Sequence, residues 1–391
     1  MSSVPASSRS KIPAGLAPME GVTDFATRFW YQCVGGMDFT WTPFLRVTDT
    51  FPAKFPDLFA PELTTLKGLF PAPLIFQVMG SRPEDVIRTA EAAGDRLTFI
   101  DLNCGCPSPT VVGSRAGSSL LEHADQFAHF LETVATRLGP GRLSVKMRTG
   151  FHSPSEFSNL LAAIKHLPLR HLTVHGRTRP ARYTGQADWL LIDEAVRTCT
   201  FPVFGSGDVC DHKTLSKRVE TASGVKAVII GRGALRNPWV FQCSRSAPLT
   251  SALAAFVLLQ DLALESQERL VAWAAELSPD FFAFKDEARW MHLIETLLSS
   301  LRGQHHAAPL EDLQVSARAL SRGKMLWNYL RSSLPEAYMN PALMRVTSLP
   351  QLLNGIDEIT RQLQLSPVNV PVVYNPEHDW MYSGAGRKPS A

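Results

Sequence analysis

Eight short runs rich in Val, Ile, Leu and Phe, separated by longer stretches with apolar residues at helical spacing, confine this chain to folds built on a parallel sheet. The runs are residues 12–16, 39–41, 74–78, 99–102, 143–147, 172–174, 202–204 and 227–230. Between them, residues 83–93, 126–138, 156–166 and 189–198 read as crossover helices. Eight such units predict an α/β fold of the TIM (β/α)8 barrel type, with an open doubly wound sheet as the rival. The placement of the unusual residues separates the two. Polar and glycine-rich motifs follow nearly every run: Ala17-Pro18-Met19-Glu20, Gln77-Val78-Met79-Gly80, Asn103-Cys104-Gly105-Cys106-Pro107, Lys146-Met147-Arg148, His175-Gly176-Arg177, Gly205-Ser206-Gly207-Asp208 and Gly231-Arg232-Gly233. A barrel gathers its active site at that face of every strand, whereas an open sheet needs such motifs only near its switch point.

After Pro238 the alternation stops. Residues 252–276, 281–301, 310–334 and 349–363 read as helices with no strand between them. A 391-residue chain exceeds one barrel of roughly 250 residues. The expected organisation is a catalytic barrel over 1–245, a helical part over 246–365, and a tail at 366–391 that is poorly ordered.

Several of the motif residues have types suited to chemistry. Cys106, at the start of a strand-end loop, carries a thiol that is mostly protonated at neutral pH and can donate a proton. Cys104 and Cys106 offer only two ligands in a C-x-C pattern, so a metal site is a weak reading, and buried structural cysteines are the bland one. Gly205-Ser206-Gly207-Asp208 and Gly231-Arg232-Gly233 fall in the two loops where barrels commonly hold a phosphate, though either could be an ordinary glycine turn. Lys146 ends an apolar run, where an ammonium needs an electron-rich partner unless its stem simply lies along apolar surface. His175 ends the next run in the same way. The loop Arg177-Thr178-Arg179-Pro180-Ala181-Arg182-Tyr183 and the segment Arg322-Gly323-Lys324-Met325-Leu326-Trp327-Asn328-Tyr329-Leu330-Arg331 mix basic and aromatic residues that suit RNA, but a solvated charge cluster and core packing explain them equally.

A formal net charge of +3 permits an anionic partner without requiring one. With hydrophobic residues at 45% and charged at 19%, wholesale disorder is excluded. The six cysteines are scattered, residues 1–10 contain no apolar signal region, and no stretch reaches the roughly 18 apolar residues of a membrane span. A cytoplasmic protein with reduced thiols, no membrane attachment and no metal is expected.

In order along the barrel, Ala17-Pro18-Met19-Glu20-Gly21-Val22-Thr23-Asp24, residues 102–107, Val145-Lys146-Met147-Arg148, Val174-His175-Gly176-Arg177-Thr178 and Ile230-Gly231-Arg232-Gly233 resemble the tRNA dihydrouridine synthases. The form Asp101-Leu102-Asn103-Cys104-Gly105-Cys106-Pro107-Ser108 looks most like the DusC branch, which acts on uridine 16 of the D-loop. The resemblance implies FMN as cofactor, NADPH as reductant and tRNA as partner. It places Pro18, Met19, Glu20, Gln77, Lys146, His175, Ser206, Gly207, Asp208, Gly231 and Arg232 around the FMN. It makes Cys106 the acid, brings Asn103, Arg148, Arg177, Arg322 and Lys324 to the tRNA, and assigns the helical part over 246–365 to binding the D-loop side of tRNA. Two positions depart from the branch: Pro43 stands where a glutamate is usual, and Ser206 where an Asn is usual. A flavin barrel acting on a small unsaturated ring of dihydroorotate type, and a non-catalytic RNA-binding protein on a degenerate barrel, are the alternative functions.

Overall fold

The computed structural model describes residues 12–362 apart from 51–58, 110–112, 114, 243–248, 283–286, 303–311, 333 and 335–340. Its centre is a parallel sheet of ten short strands: β1 (Ala14–Leu16), β2 (Phe39–Trp41), β3 (Leu45–Arg46), β4 (Leu74–Ile75), β5 (Gln77–Met79), β6 (Ile100–Cys104), β7 (Leu143–Arg148), β8 (Leu172–His175), β9 (Val203–Ser206) and β10 (Ala227–Ile230). Each run pairs with its successor, and β10 pairs with β1. β2 and β3 together pair with β4 and β5, so the ten pieces are eight staves of a closed barrel. The break in the second stave has a cause in the sequence. Pro43 has no N–H to give the ladder, and Thr42 bridges the gap, its amide donating to Ile75 O at 3.0 Å and its hydroxyl accepting from Gln77 N at 2.9 Å.

The strands run further than their apolar runs do. β6 extends to Cys104, β7 to Arg148, β8 to His175 and β9 to Ser206, so Asn103, Arg148, His175 and Ser206 belong to strands rather than loops. Hydropathy stops short because these C-terminal strand ends turn polar residues into the barrel mouth. At the opposite end the barrel is filled by rings: Phe39 stacks on Phe204 at 5.9 Å, and His171 stacks on Phe204 at 4.2 Å.

Beyond the barrel the described residues are helical, with one expected helix divided. Residues 252–276 form two helices, Leu249–Glu265 and Gln267–Ala275, bent by 120° where Ser266 caps the second by accepting from Arg269 N. Helix Leu249–Glu265 is buried along almost its whole length. Trp30, from the first barrel helix Phe25–Val34, donates its indole N–H to Ala252 O at 2.7 Å. Helix Ala317–Arg331 crosses Leu249–Glu265 closely enough that a Cβ on Gly323 would sit 2.5 Å from Val257 Cγ2. No single helix among the described residues is long and apolar enough to cross a membrane. The expected poorly ordered tail at 366–391, like Cys243, lies outside the described residues.

Candidate active site

Asn103 organises the loop that carries Cys106. Residues 101 and 103 alternate into the barrel interior, and the Asn103 carboxamide oxygen accepts both the Gly105 and the Cys106 amide at 3.0 Å. From the other side, Ser118 donates its amide (3.2 Å) and its hydroxyl (2.8 Å) to Cys106 O. Arg148 Nε donates to Gly105 O at 2.8 Å. The backbone that carries the half-buried thiol is therefore held from three directions. Burial raises its pKa, with Glu20 acting in the same direction, so it is a protonated donor at neutral pH.

The thiol opens on a cavity of about 410 Å³, within the range of small-ligand sites. Pro18, Met19 and Glu20 form one wall, Lys146 and His175 stand on the barrel side, and Ser206, Gly207, Gly231 and Arg232 close the far end. Burial pushes Lys146 down to about 8, with Arg148 adding to the effect. His175 is driven well below its ordinary value by burial and by the surrounding cations Arg148 and Lys146, so its imidazole is neutral. Because Arg177 can only donate, its Nη1 at 3.3 Å makes His175 Nε2 the acceptor and puts the ring proton on Nδ1.

The basic loop is braced from within. Arg177 and Asp208 form a fully buried pair, with Nη2 2.8 Å from Oδ1 and 2.9 Å from Oδ2, while Asp208 Oδ2 also accepts from Ala187 N at 2.6 Å. Arg177 further donates to Thr184 O and Gly185 O. Arg148 Nη1 holds Thr178 O and Arg182 O at 2.9 and 2.8 Å. At the rim, the half-exposed Tyr183 lies 4.3 Å from the Arg232 guanidinium, a cation–π contact.

Most of the residues expected around a cofactor line this cavity together with Cys106, Asn103, Arg148 and Arg177. Gln77 does not: it is fully buried beneath, its amide engaged by Asp101 and Asn103. Of those expected at tRNA, Arg177 is spent on its buried pair, and Arg148 works on backbone carbonyls. Arg322 is turned inward as a strut, donating to Gly21 O (2.6 Å), Val22 O (3.1 Å), Asp24 Oδ2 (2.6 Å) and Gln260 Oε1 (3.1 Å). Gly323 faces the helical core, which forces its neighbour Arg322 onto the barrel, while Lys324 stays half-buried. Tyr329, legible in the sequence only as one aromatic of a basic segment, reaches the cavity from helix Ala317–Arg331. Its place among Trp327 and Leu330 reads as core packing, and only tertiary structure reveals its direction.

The residues suit an aromatic, electron-rich ring bearing a phosphate. Lys146 makes no hydrogen bond or ion pair among the described residues, and a half-buried ammonium at a cavity wall calls for a ligand carbonyl or anion. At the far end a Cβ on Gly207 would meet Ala187 Cβ at 2.4 Å and His175 Cδ2 at 3.4 Å, so only glycine fits between Ser206 and Asp208 there.

The family model described as dihydrouridine synthase (Dus) matches residues 15–267. The chain is 34% identical over 232 residues to the tRNA-dihydrouridine(16) synthase of Salmonella typhimurium, covering 57% of this chain and 73% of that protein. It is 35% identical over 190 residues to the tRNA-dihydrouridine(47) synthase [NAD(P)(+)] of Malassezia globosa, covering 42% of this chain and 25% of that protein. Among solved structures, morphinone reductase overlaps 59% of this chain and 84% of its own length, with a TM-score of 0.42 and 11% identity.

Proposed function

The chain belongs to the dihydrouridine synthase family, and from that premise we propose that it reduces uridine to 5,6-dihydrouridine in the D-loop of tRNA, at position 16, with FMN as cofactor and NADPH as reductant. The observation that carries this reading is the single cavity shared by the Cys106 thiol, Lys146, His175 and Arg232. Lys146 and His175 would hold the flavin ring, and Ser206, Gly207, Gly231 and Arg232 its phosphate. Bound FMN supplies the hydride that uracil C6 receives, drawn in turn from NADPH. The protein supplies the rest. Cys106 Sγ–H gives its proton to C5, and the neutral His175 and the cationic Lys146 and Arg148 keep the cavity attractive to the carbonyls of a pyrimidine. A base must leave its stack to reach this depth. The exposed face of Tyr183 lies on the rim it would pass.

Position 16 rests on the relatives named for that uridine. The test is a purified preparation given NADPH and unmodified tRNA, with dihydrouridine mapped along the product. A yellow protein bleached by NADPH that leaves every tRNA uridine intact would instead favour a small-ring substrate.

The Lys146 charge adds a pH signature. The ammonium is present below about 8 and is lost as pH rises through that value. A carbonyl-bearing ring prefers the charged form, so FMN affinity is expected to weaken as pH rises through about 8. Lys146→Met should bind FMN more weakly and without the step. Fluorescence titration at a series of pH values checks it, and an unchanged step in the variant would assign the titration to another group.

A further inference from the structure

Asp101 lies on β6, fully buried and away from the cavity wall, and nothing in the chemistry above uses it. Its Oδ1 accepts from the Ser144 hydroxyl at 2.5 Å and its Oδ2 from Gln77 Nε2 at 2.7 Å. Gln77 Oε1 in turn accepts from Asn103 Nδ2 at 2.8 Å. Asn103 Oδ1 then accepts the Gly105 and Cys106 amides. We propose that Asp101 is a positioning residue for Cys106, acting through a one-way relay of two carboxamides, Gln77 and Asn103.

The logic is donor and acceptor polarity. A carboxamide has two ends of nearly the same shape and opposite hydrogen-bonding sense, so on its own it can sit either way round. Burial raises the Asp101 pKa, while Gln77, Ser144 and the nearby Lys146 favour its ionised form; as a carboxylate it only accepts, which turns the Gln77 N–H down and its oxygen up. That oxygen demands the Asn103 N–H, which leaves the Asn103 oxygen for the loop amides. Backbone N–H groups only donate, so the upper end agrees with the lower. A reversed Asn103 would set two N–H groups against each other at Gly105 and Cys106, and buried unpaired donors are costly. The same relay decides what Asn103 shows the cavity it lines. With its oxygen on the loop, it can present only an N–H to a pyrimidine carbonyl. That last point rests on the uridine reading of the site; the anchoring of the Cys106 loop does not.

The relay predicts a rescue that a merely structural residue would not give. Asp101→Asn removes the acceptor-only anchor. Adding Gln77→Glu moves the carboxylate one step up the chain. There it accepts from Asn103 above and from the carboxamide installed at position 101 below, which restores the sense of Asn103. Two readouts are taken on the full-length protein: hydrogen exchange of the Gly105 and Cys106 amides, and the split of kcat from KM for tRNA. Asp101→Asn is expected to exchange these amides about tenfold faster and to lower kcat by a comparable factor with KM unchanged. The double variant is expected to recover both. Wild-type exchange in Asp101→Asn would overturn the proposal. So would a double variant that melts like the wild type yet remains as fast-exchanging as the single one. If the exchange pattern appears but even the wild type makes no dihydrouridine, the relay stands and the proposed activity falls.

Discussion

Replacing Cys106 with Ala is expected to leave a folded protein that still binds FMN, with dihydrouridine formation about 10²- to 10⁴-fold slower, the range that a single general acid contributes. The geometry isolates the effect. The loop is held through the Cys106 amide and carbonyl and through Gly105 O, none of which the substitution touches. The side chain itself is half-buried at the cavity edge, so its loss leaves little void. Flavin reduction by NADPH does not need the thiol and should proceed at the wild-type rate. Single-turnover measurements with prereduced protein and tRNA separate the two half-reactions. Wild-type turnover in Cys106→Ala would remove the thiol from the reaction, and equal slowing of flavin reduction would show that the substitution had damaged the cavity instead.

A second large effect is expected at the base of the basic loop. Asp208→Asn preserves shape and tolerates the backbone φ of 51° at this position, which Asn adopts more readily than most residues. It removes the charge and turns one of the two accepting oxygens into a donor facing Arg177 or Ala187 N–H. Both side chains of the pair are 1% exposed, so the Arg177 guanidinium would be left buried without its counter-charge. Breaking a buried pair in this way costs about 3–5 kcal/mol. Urea unfolding of the protein without cofactor reads that loss directly, and a midpoint unchanged from wild type would mean that water reaches Arg177. His175, 3.3 Å from the same guanidinium, should move with it.

The barrel is legible in the sequence because parallel strands buried on both faces leave continuous apolar runs, and because motif after motif falls at the same end of those runs. The third stave and the whole helix 189–198 read at or near their true positions. What escapes is the polar C-terminal end of four strands, at Asn103, Arg148, His175 and Ser206. Arg148 and His175 read as following their strands because hydropathy cannot distinguish an inward-facing polar strand residue from a loop. β3 is hidden by Pro43, which interrupts the pattern without ending the stave. Among the site residues, Cys106, Lys146 and Arg232 carry a signal in type and position together. Arg177 and Arg322 look like RNA contacts because charge is visible in a sequence and its partners are not; Asp208 and Asp24 lie 31 and 298 residues away from them. Asp101 does leave a trace, a carboxylate inside an apolar run two residues before Asn103, where period two points both the same way.

The strut made by Arg322 and the reach of Tyr329 have a consequence for anyone hoping to retarget such an enzyme. Barrel and helical part are not interchangeable modules joined by a hinge, because one helix both fastens the outer half and furnishes part of the cavity wall. Grafting the helical half of a relative onto this barrel would exchange that wall along with the outer half, so a chimera should carry the Asp24 and Gln260 sockets across with Arg322, or it will arrive with an altered pocket.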